Sequence, residues 1–243
     1  MNVGKITLEY HIKSYECDCN GNLRLLTLMN IFQDVADTHA SKLGVGMEHC
    51  QAHGLAWVGS NYIIEIEKMP RWHEKITVTS WPSVEKKLGA IRDFEVRNEN
   101  NEIVIRATSQ WILIDFAKRR PVCLRDNLPE YQVVNERALD LEFARLAEPE
   151  RVDYKQTFQV RFDDIDINKH VNNAVYPLWA TEALPHNFRQ VHMPKTIEIA
   201  FKKEGLYGEN VVVSSQIDQQ TSLHAICAEN DNRELAKVKI IWH

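Results

Sequence analysis

The chain has 243 residues, a length that fits either one large domain or two small ones. Apolar residues make up 44% and charged residues 26%, a composition typical of a folded globular protein that excludes disorder, collagen and a coiled coil. The formal net charge of −5 at pH 7 provides no basic field for a phosphate backbone, so we expect no nucleic-acid partner.

The cysteine pattern predicts a protein of a reducing compartment, and the apolar runs are too short for a membrane span. Five cysteines form an odd set without a C-x-x-C pair, which argues against a disulfide framework and a zinc ribbon. We see no signal-peptide pattern at the N-terminus, and no apolar run approaches the roughly 20 residues of a membrane helix. We therefore expect a cytoplasmic protein without a membrane span.

The first half predicts one strand, one long helix and four further strands. Residues 5–15 alternate as in a strand, and residues 20–22 are turn formers. Apolar residues then recur with a period of about 3.6, which predicts a helix over 25–43 that Gly44 ends. Runs rich in Val, Ile, Thr and Trp predict antiparallel strands at 55–67, 74–84, 89–98 and 102–116.

The second half repeats this order after a segment without periodicity. Residues 121–155 contain prolines near both ends and mixed charges, and we interpret them as a linker with one short helix. A strand over 158–162, a turn over 168–173 and a helix over 175–184 follow. The remaining strands are predicted at 194–203, 209–218, 223–230 and 234–242.

An internal repeat accounts for this order. Residues 18–22 coincide with residues 166–170 after a shift of 148 positions, and both pentapeptides share D-x-N between a strand and a helix. Farther along, the shift falls to about 135, which places the shortening in the loop after the helix, where deletions are tolerated. We therefore predict domains at 1–120 and 156–243, joined by the linker 121–155.

Two positions differ in chemistry between the copies. His170 falls opposite Asn22, and Glu204 falls opposite Met69. Histidine exchanges protons near neutral pH, and a carboxylate can act as the base for a water molecule. The alternative is structural, because Asp and Asn also stabilise turns and Asn172 or Asn173 could bond the first amides of the next helix. Glu204 by itself is equally typical of a solvated strand end.

The sequence around these positions resembles a known family. Residues 161–184, RFDDIDINKHVNNAVYPLWATEAL, resemble the D-x-N-x-H-V-N-N-x-x-Y signature of the acyl-acyl-carrier-protein (acyl-ACP) thioesterases of plant plastids and bacteria. Residues 197–205, IEIAFKKEG, are similar to the second active-site segment of that family. The resemblance extends into the first half through LLTLMNIFQDVADTH, LAWV and RATSQWILIDFAKRRP.

The resemblance implies both a fold and a catalytic group. The fold class is α+β, with two tandem hotdog units, each an antiparallel curved sheet wrapped around a long helix. The implied catalytic residues are Asp166, Asn168, His170 and Glu204. Gly205 stands where plant members carry a cysteine, so a thiol nucleophile is excluded at this position. The resemblance is to a bacterial member of the family. It implies an enzyme that hydrolyses thioesters in fatty acid biosynthesis.

The mechanism is a hypothesis built on these roles. Glu204 takes a proton from water, His170 and Asn168 position the water or the thioester, and Asp166 orients its neighbours. Backbone amides at the start of the helix after Asn173 polarise the carbonyl. A covalent intermediate is the alternative to direct attack by water.

The first half lacks His and Glu at these positions and is free for binding, and the resemblance implies that it binds the acyl chain. We predict substrate-binding residues on the first helix, on the following strand and ahead of the second helix, although apolar residues at helical spacing are more often packing residues of the core. These residues are Met29, Trp57 and Asn173. The family's carrier protein is acidic, so two basic clusters are candidate docking residues, unless they are simply solvated surface. They are Arg119, Arg120, Lys202 and Lys203.

No cofactor or metal is predicted. His49, Cys50 and His53 have the spacing of metal ligands, but no fourth ligand lies nearby in sequence. Two alternative functions are an acyl-CoA thioesterase and a non-catalytic acyl-binding hotdog module. The duplicated unit makes a monomer sufficient for folding and leaves a further homodimer open. The sequence does not specify the length or saturation of the acyl chain.

Overall fold

The computed structural model describes residues 4–243. The chain divides into two compact units, and the boundary along the sequence lies between Glu142 and Phe143. This boundary lies inside the segment 121–155, in which residues 128–153 form no helix or strand. Among the described residues, no helix combines the length and the apolar character that crossing a bilayer would need.

The first unit is built on an antiparallel sheet with the strand order β1-β3-β4-β5-β2. Its strands are β1 (Ile6–His11), β2 (Leu55–Ile66), β3 (Lys75–Glu85), β4 (Gly89–Arg97) and β5 (Ile103–Asp115). A two-residue strand, β6 (Arg120–Pro121), pairs with β5. The strands follow the Val- and Ile-rich runs of the sequence, because such side chains pack well on a pleated surface.

A long helix, α1 (Leu25–Lys42), packs against β1 and β3. The apolar residues that recur at helical spacing, among them Leu28, Met29 and Phe32, form its buried face. The helix ends where Gly44 takes a left-handed conformation with φ of +73°, which glycine adopts without strain. Two shorter helices, α2 (Met47–Ala52) and α3 (Leu124–Asn127), complete this unit.

The second unit repeats this plan with the strand order β8-β11-β10-β9-β7. Its strands are β7 (Tyr154–Gln159), β8 (Pro194–Phe201), β9 (Asn210–Asp218), β10 (Thr221–Ala228) and β11 (Glu234–Trp242). Helix α4 (Val175–Glu182) packs against β9, β10 and β11, and α5 (His186–Val191) follows it. The helix on this sheet has eight residues, whereas α1 has 18.

Most predicted elements agree with the structure, but the strand predicted over 158–162 is wrong at both ends. Strand β7 spans Tyr154–Gln159, and a 3₁₀ turn occupies Phe162–Asp164. The apolar Phe162 continues the alternating pattern, but the Arg161 amide donates to Asp164 Oδ2 at 2.8 Å and turns the chain. Helix α5 has no counterpart among the predicted elements.

Backbone hydrogen bonds confirm the internal repeat at both shifts. An isolated bridge joins Cys17 to Leu23, and the same bridge joins Ile165 to Val171, each 148 positions later. The Leu23 amide donates to the Pro70 carbonyl at 2.8 Å, and the Val171 amide donates to the Gly205 carbonyl at 3.0 Å. Because Gly205 lies 135 positions after Pro70, the structure also supports the pairing of Glu204 with Met69.

Candidate active site

The D-x-N-x-H element forms a tight hairpin turn. The Asp166 amide donates to the His170 carbonyl and the Lys169 amide donates to the Asp166 carbonyl, each at 2.9 Å. Asp166 Oδ1 accepts the Asn168 amide at 2.8 Å, as Asp side chains do in such turns. Lys169 has φ of +66°, which closes the turn and directs the chain back through His170.

The turn brings His170 to Glu204. His170 Nε2 lies 3.2 Å from Glu204 Oε2, within hydrogen-bonding distance. The two side chains are 25% and 37% exposed, so both are accessible to a ligand without being loosely solvated. The structure therefore places in direct contact the two ionisable residues that only the second copy contains.

Gly205 joins the two segments that carry this pair. Its carbonyl accepts the amide of Val171, the residue after His170. A Cβ atom at position 205 would lie 2.9 Å from Val171 Cγ2 and 3.4 Å from the Tyr176 hydroxyl. A cysteine at this position would therefore require its neighbours to shift, which agrees with the departure from the plant pattern noted in the sequence.

Tyr176 of α4 holds the same segment from the interior. Its hydroxyl accepts the Gly205 amide at 3.1 Å. Burial, followed by the neighbouring charges of Glu204 and Glu209, raises the pKa of Tyr176 to about 12. The phenol therefore stays protonated at neutral pH and acts as a fixed, uncharged partner for the backbone beside Glu204.

Arg233, in the connection between β10 and β11, holds the segment from the other side. Its Nη2 donates to the Glu204 carbonyl at 3.3 Å and to both carboxylate oxygens of Glu209 at 2.8 and 2.9 Å. Glu209 Oε2 in turn accepts the Leu206 amide at 2.9 Å. Side chains or neighbouring backbone thus bond each residue from Glu204 to Leu206.

Sequence reasoning missed these three supporting residues. Tyr176 is the final residue of the signature quoted above, so its position in the motif was an available signal. Glu209 and Arg233 lie in polar stretches that resemble ordinary strand connections, and only the folded chain brings them together.

Asp166 and Asn168 are bonded to one another within the turn. Asn168 Nδ2 donates to Asp166 Oδ2 at 3.3 Å, in addition to the backbone contact at Oδ1. Asn168 is exposed and Asp166 is half-buried. Their contacts account for the shape of the turn, and their part in catalysis stays a prediction.

Asn172 bonds the chain just ahead of α4, but its side chain is not the helix cap of the alternative interpretation, because the N-cap residue is Ala174 and no side-chain hydrogen bond caps this helix. Asn172 Oδ1 accepts the Ala174 amide and the Asn172 carbonyl accepts the Val175 amide, each at 2.9 Å. These two amides are therefore already occupied, so the predicted polarisation of a carbonyl by the first helix amides does not apply to them. Asn173, a predicted substrate-binding residue, is half-buried just before these amides.

The predicted acyl-binding residues of the first unit lie in or beside its core. Met29 has no exposed surface and belongs to the buried face of α1. Trp57 is partly buried on β2, and its Nε1 donates to the Val45 carbonyl at 2.9 Å. It packs against a buried cluster of Cys50, Leu55, Ala90, Leu113 and Leu124.

The predicted docking residues are all on the surface of their units. Arg119 has φ of +55° in the turn that leads to β6, and Arg120 lies within β6. Lys202 and Lys203 follow β8 directly, and both of their amides point to the Leu235 carbonyl. Between Gly4 and His243, the structure contains no cluster of three or more His, Cys, Asp or Glu side chains that could hold a metal ion.

Comparisons with known proteins agree with this architecture. Residues 4–131 match the acyl-ACP thioesterase N-terminal domain, and residues 147–243 match the C-terminal domain. An oleoyl-acyl carrier protein thioesterase from Coriandrum sativum is 25% identical over 94% of this chain and 67% of its own length. An acyl-[acyl-carrier-protein] hydrolase from Cuphea viscosissima is 31% identical over 72% of this chain, which spans only 46% of that protein.

A solved structure confirms the fold class. The acyl-ACP thioesterase from Bacteroides thetaiotaomicron superposes with a TM-score of 0.83 at 24% identity, and the match covers 98% of both chains. The two units, with their antiparallel sheets and packed helices, are thus tandem hotdog units, as the sequence predicted. Together, the two domain matches cover most of the chain and show that it belongs to the acyl-ACP thioesterase family, whose members hydrolyse thioester bonds.

Proposed function

We propose that this protein hydrolyses the thioester of a fatty acyl-ACP and releases the free fatty acid. The observation that carries this proposal is the 3.2 Å contact between His170 and Glu204. At the equivalent positions, the first copy has Asn22 and Met69, which do not ionise. The relative from coriander is named as an oleoyl-acyl carrier protein thioesterase and the relative from Cuphea as an acyl-[acyl-carrier-protein] hydrolase, which supports the same substrate class.

Glu204 is the proposed general base. A thioester carbonyl is already electrophilic, so the enzyme has to supply an activated water, a fixed orientation and stabilisation of the oxyanion. The Glu204 carboxylate takes a proton from water while the oxygen attacks the carbonyl carbon, and the proton then passes to the departing thiolate. His170, through its Nε2–H, fixes the carboxylate and orients the reacting groups.

Asp166 and Asn168 are proposed to position His170 and the thioester. Their mutual hydrogen bonds make the turn rigid immediately before His170, which supports a positioning role. The alternative of a covalent intermediate on Glu204 is tested by a single turnover in labelled water. Direct attack transfers the label to the fatty acid in the first turnover. An acyl-enzyme that water opens at the Glu204 carboxyl carbon instead releases an acid with an oxygen from the protein, so an unlabelled first-turnover acid would establish the covalent route.

The first unit is proposed to bind the acyl chain, with Met29 and Trp57 beside it and Asn173 near the thioester. The support is indirect: the equivalent positions there are Asn22 and Met69, which leaves this copy without an acid–base pair. The chain length is not specified by the relatives, because one is named for oleoyl and another for dodecanoyl substrates. Variants at Met29 and Trp57 should shift the preference among chain lengths.

The proposed partner is acyl carrier protein, with Arg119, Arg120, Lys202 and Lys203 as basic docking candidates. All five cysteines are free thiols, which supports the expected cytoplasmic location. The ratio of kcat/KM on acyl-ACP to that on acyl-CoA distinguishes the two thioesters as substrates. Sedimentation of the purified chain distinguishes a monomer from the homodimer that the sequence left open.

The central test is release of free thiol from acyl-ACP substrates by the native chain, His170→Asn and Glu204→Gln. His170→Asn takes the residue that the same turn already accommodates at Asn22, so we expect it to fold. Each variant should lower kcat at least about a hundredfold, the usual contribution of a positioned acid or base. The exposed His186 on α5 provides a matched control as His186→Asn, which should retain native turnover. Near-normal kcat in either site variant would contradict the assignment.

A further inference from the structure

Four large apolar side chains are exposed around the candidate active site. We call them the apolar rim, and they are Phe162 at 79%, Ile167 at 78%, Leu206 at 46% and Tyr207 at 67% exposure. The rings of Phe162 and Tyr207 contact each other edge to face, with centroids 6.3 Å apart. A group of exposed apolar side chains in one region commonly marks an interaction surface.

The apolar rim is attached to the segments that carry His170 and Glu204. Ile167 lies between Asp166 and Asn168 in the hairpin turn, and Leu206 and Tyr207 directly follow Gly205. Phe162 begins the 3₁₀ turn before the hairpin. A partner on this surface would therefore touch the same two segments that present the His–Glu pair.

The internal repeat shows that the fold does not require these residues to be apolar. The equivalents of Phe162, Ile167 and Leu206 in the first copy are Ser14, Cys19 and Arg71, although the backbone bonds of the hairpin are the same. Only Tyr207 has an aromatic equivalent, Trp72. The exposed apolar surface is thus enriched in the copy that contains the ionisable pair.

The charges beside the apolar rim differ between the copies at one of two positions. Lys202 and Lys203 immediately precede Glu204, and their equivalents in the first copy are Glu67 and Lys68. Both lysines are exposed, and within residues 4–243 neither forms an ion pair. A cationic edge beside apolar side chains complements a partner that is acidic and has an apolar face.

We propose that the apolar rim, with Lys202 and Lys203, is the surface on which an acidic acyl-carrying protein docks to deliver its thioester to His170 and Glu204. This inference rests on the proposed function and adds the surface to it. The apolar side chains supply contact area, and the lysines accelerate association and make it sensitive to salt. The assignment favours the second unit over the cluster at Arg119 and Arg120.

The test compares two substrates that carry the same acyl group, one on acyl carrier protein and one on pantetheine. The variants are a rim double, Phe162→Ser with Tyr207→Ser, and a charge double, Lys202→Glu with Lys203→Glu. Each should raise KM for the carrier substrate at least tenfold and leave kcat/KM for acyl-pantetheine within twofold of native. The charge double should also flatten the dependence of kcat/KM on salt for the carrier substrate.

The first copy offers a matched control. Tyr15, in the 3₁₀ turn before the first-copy hairpin, is 74% exposed, and Trp72, the equivalent of Tyr207, is 51% exposed. Tyr15→Ser with Trp72→Ser should leave turnover of both substrates unaffected. An unchanged KM for the carrier substrate in both doubles would overturn the proposal. So would equal losses on both substrates, or a native dimer that the rim double converts to a monomer, because these results assign the surface to the small substrate or to a second copy.

Failure of the proposed function gives a different result. In that case the native chain releases thiol from neither substrate, whatever the surface variants do. Binding of acyl carrier protein to the His170→Asn chain then tests the surface without turnover, and the rim double should weaken this binding at least tenfold. Unchanged binding would reject the docking surface independently of catalysis.

Discussion

The two copies of the hairpin share their backbone bonds and differ in the side chains that support them. In the second unit, the Gly205 amide donates to the hydroxyl of the buried Tyr176. The equivalent residues in the first unit are Pro70, which has no amide hydrogen, and Leu28, which has no hydroxyl. The donor and the acceptor are therefore absent together, and neither copy leaves a buried polar group without a partner here.

This difference teaches that the hairpin is a structural element and that the His–Glu pair depends on additional supports. The first copy has Met69, only 8% exposed, where the second has Glu204 at the surface of the site. Arg233 further holds the Glu204 carbonyl. The bond from the Leu206 amide to Glu209 does not distinguish the copies, because the Arg71 amide donates to Glu74 in the same way. A reactive pair thus requires more than the two ionisable residues on the shared backbone.

The strongest way to break the comparison is to move the pair to the first copy. A chain with Asn22→His and Met69→Glu, together with His170→Asn and Glu204→Gln, should remain at least about a hundredfold below native kcat. The first copy lacks the tyrosine and arginine supports, and Met69→Glu places a carboxylate in a buried site at a cost of several kcal/mol. Thiol release and urea unfolding measure the two effects.

The matching control is Asn22→His with an intact second copy, which should retain native turnover. Recovery of more than a tenth of native kcat in the transplanted chain would show that the pair alone is sufficient. The absence of the pair from the first copy would then not result from a physical need for the supporting residues.

Removal of Arg233 tests one support directly. Arg233→Gln should lower kcat about 10- to 100-fold, because a small displacement of a catalytic group is costly, while KM changes little. Arg233→Lys should restore part of kcat, since it keeps the charge without the planar donors that reach both Glu209 and Glu204. Arg97, the last residue of β4, donates to the Asn101 carbonyl and gives the control Arg97→Gln. A lower melting temperature with unchanged kcat would assign Arg233 to stability alone.

Much of the fold could be predicted because it depends on local patterns. The period of α1, the Val-rich strands and the D-x-N turn are each written in consecutive residues. The internal repeat also predicted a long-range contact, between Glu204 and the turn that carries His170. This prediction was possible because both copies form the same backbone bonds between these segments.

The features that could not be predicted depend on contacts that the local sequence pattern does not indicate. Arg233 reaches Glu204 and Glu209 only after β10 and β11 pair, and its local sequence is that of a polar connection. The early end of β7 depends on the Arg161–Asp164 contacts, which override the apolar character of Phe162. The short helix α5 has a polar sequence that gives little periodic signal.

A second histidine of the second unit, His224, is buried, whereas His170 is accessible. His224 is buried between the hydroxyls of Ser215 and Ser222, at 2.7 and 2.8 Å from its ring nitrogens. Burial lowers the pKa of His224 from its ordinary value of 6.5 to about 3. Below pH 6.5 the unfolded chain binds a proton that the folded chain excludes, so the free energy of unfolding falls as the pH decreases.

Urea unfolding at pH 7.5 and pH 5 measures this effect. The native chain should lose about 2 kcal/mol more between these pH values than His224→Gln does, since one proton corresponds to ~1.4 kcal/mol per pH unit below 6.5. His224 should thus lower the free energy of unfolding only below about pH 6.5. An identical pH dependence in the two chains would show that His224 titrates normally in the folded protein.

The smallest predicted effect concerns the residue that closes each turn. Lys169 and Gly21 occupy equivalent positions with φ of +66° and +77°, and this left-handed region is costly for any residue with a Cβ. Lys169→Gly should raise the free energy of unfolding by about 0.5–1 kcal/mol, and Gly21→Lys should lower it by a similar amount. A Cβ at Gly21 would meet nothing closer than Arg71 Nη2 at 3.7 Å, so the penalty there comes from the backbone alone. Urea midpoints that move in the same direction for both exchanges would refute this account. Opposite shifts would show that the second unit retains a strained turn beside His170, as is expected of a functional site.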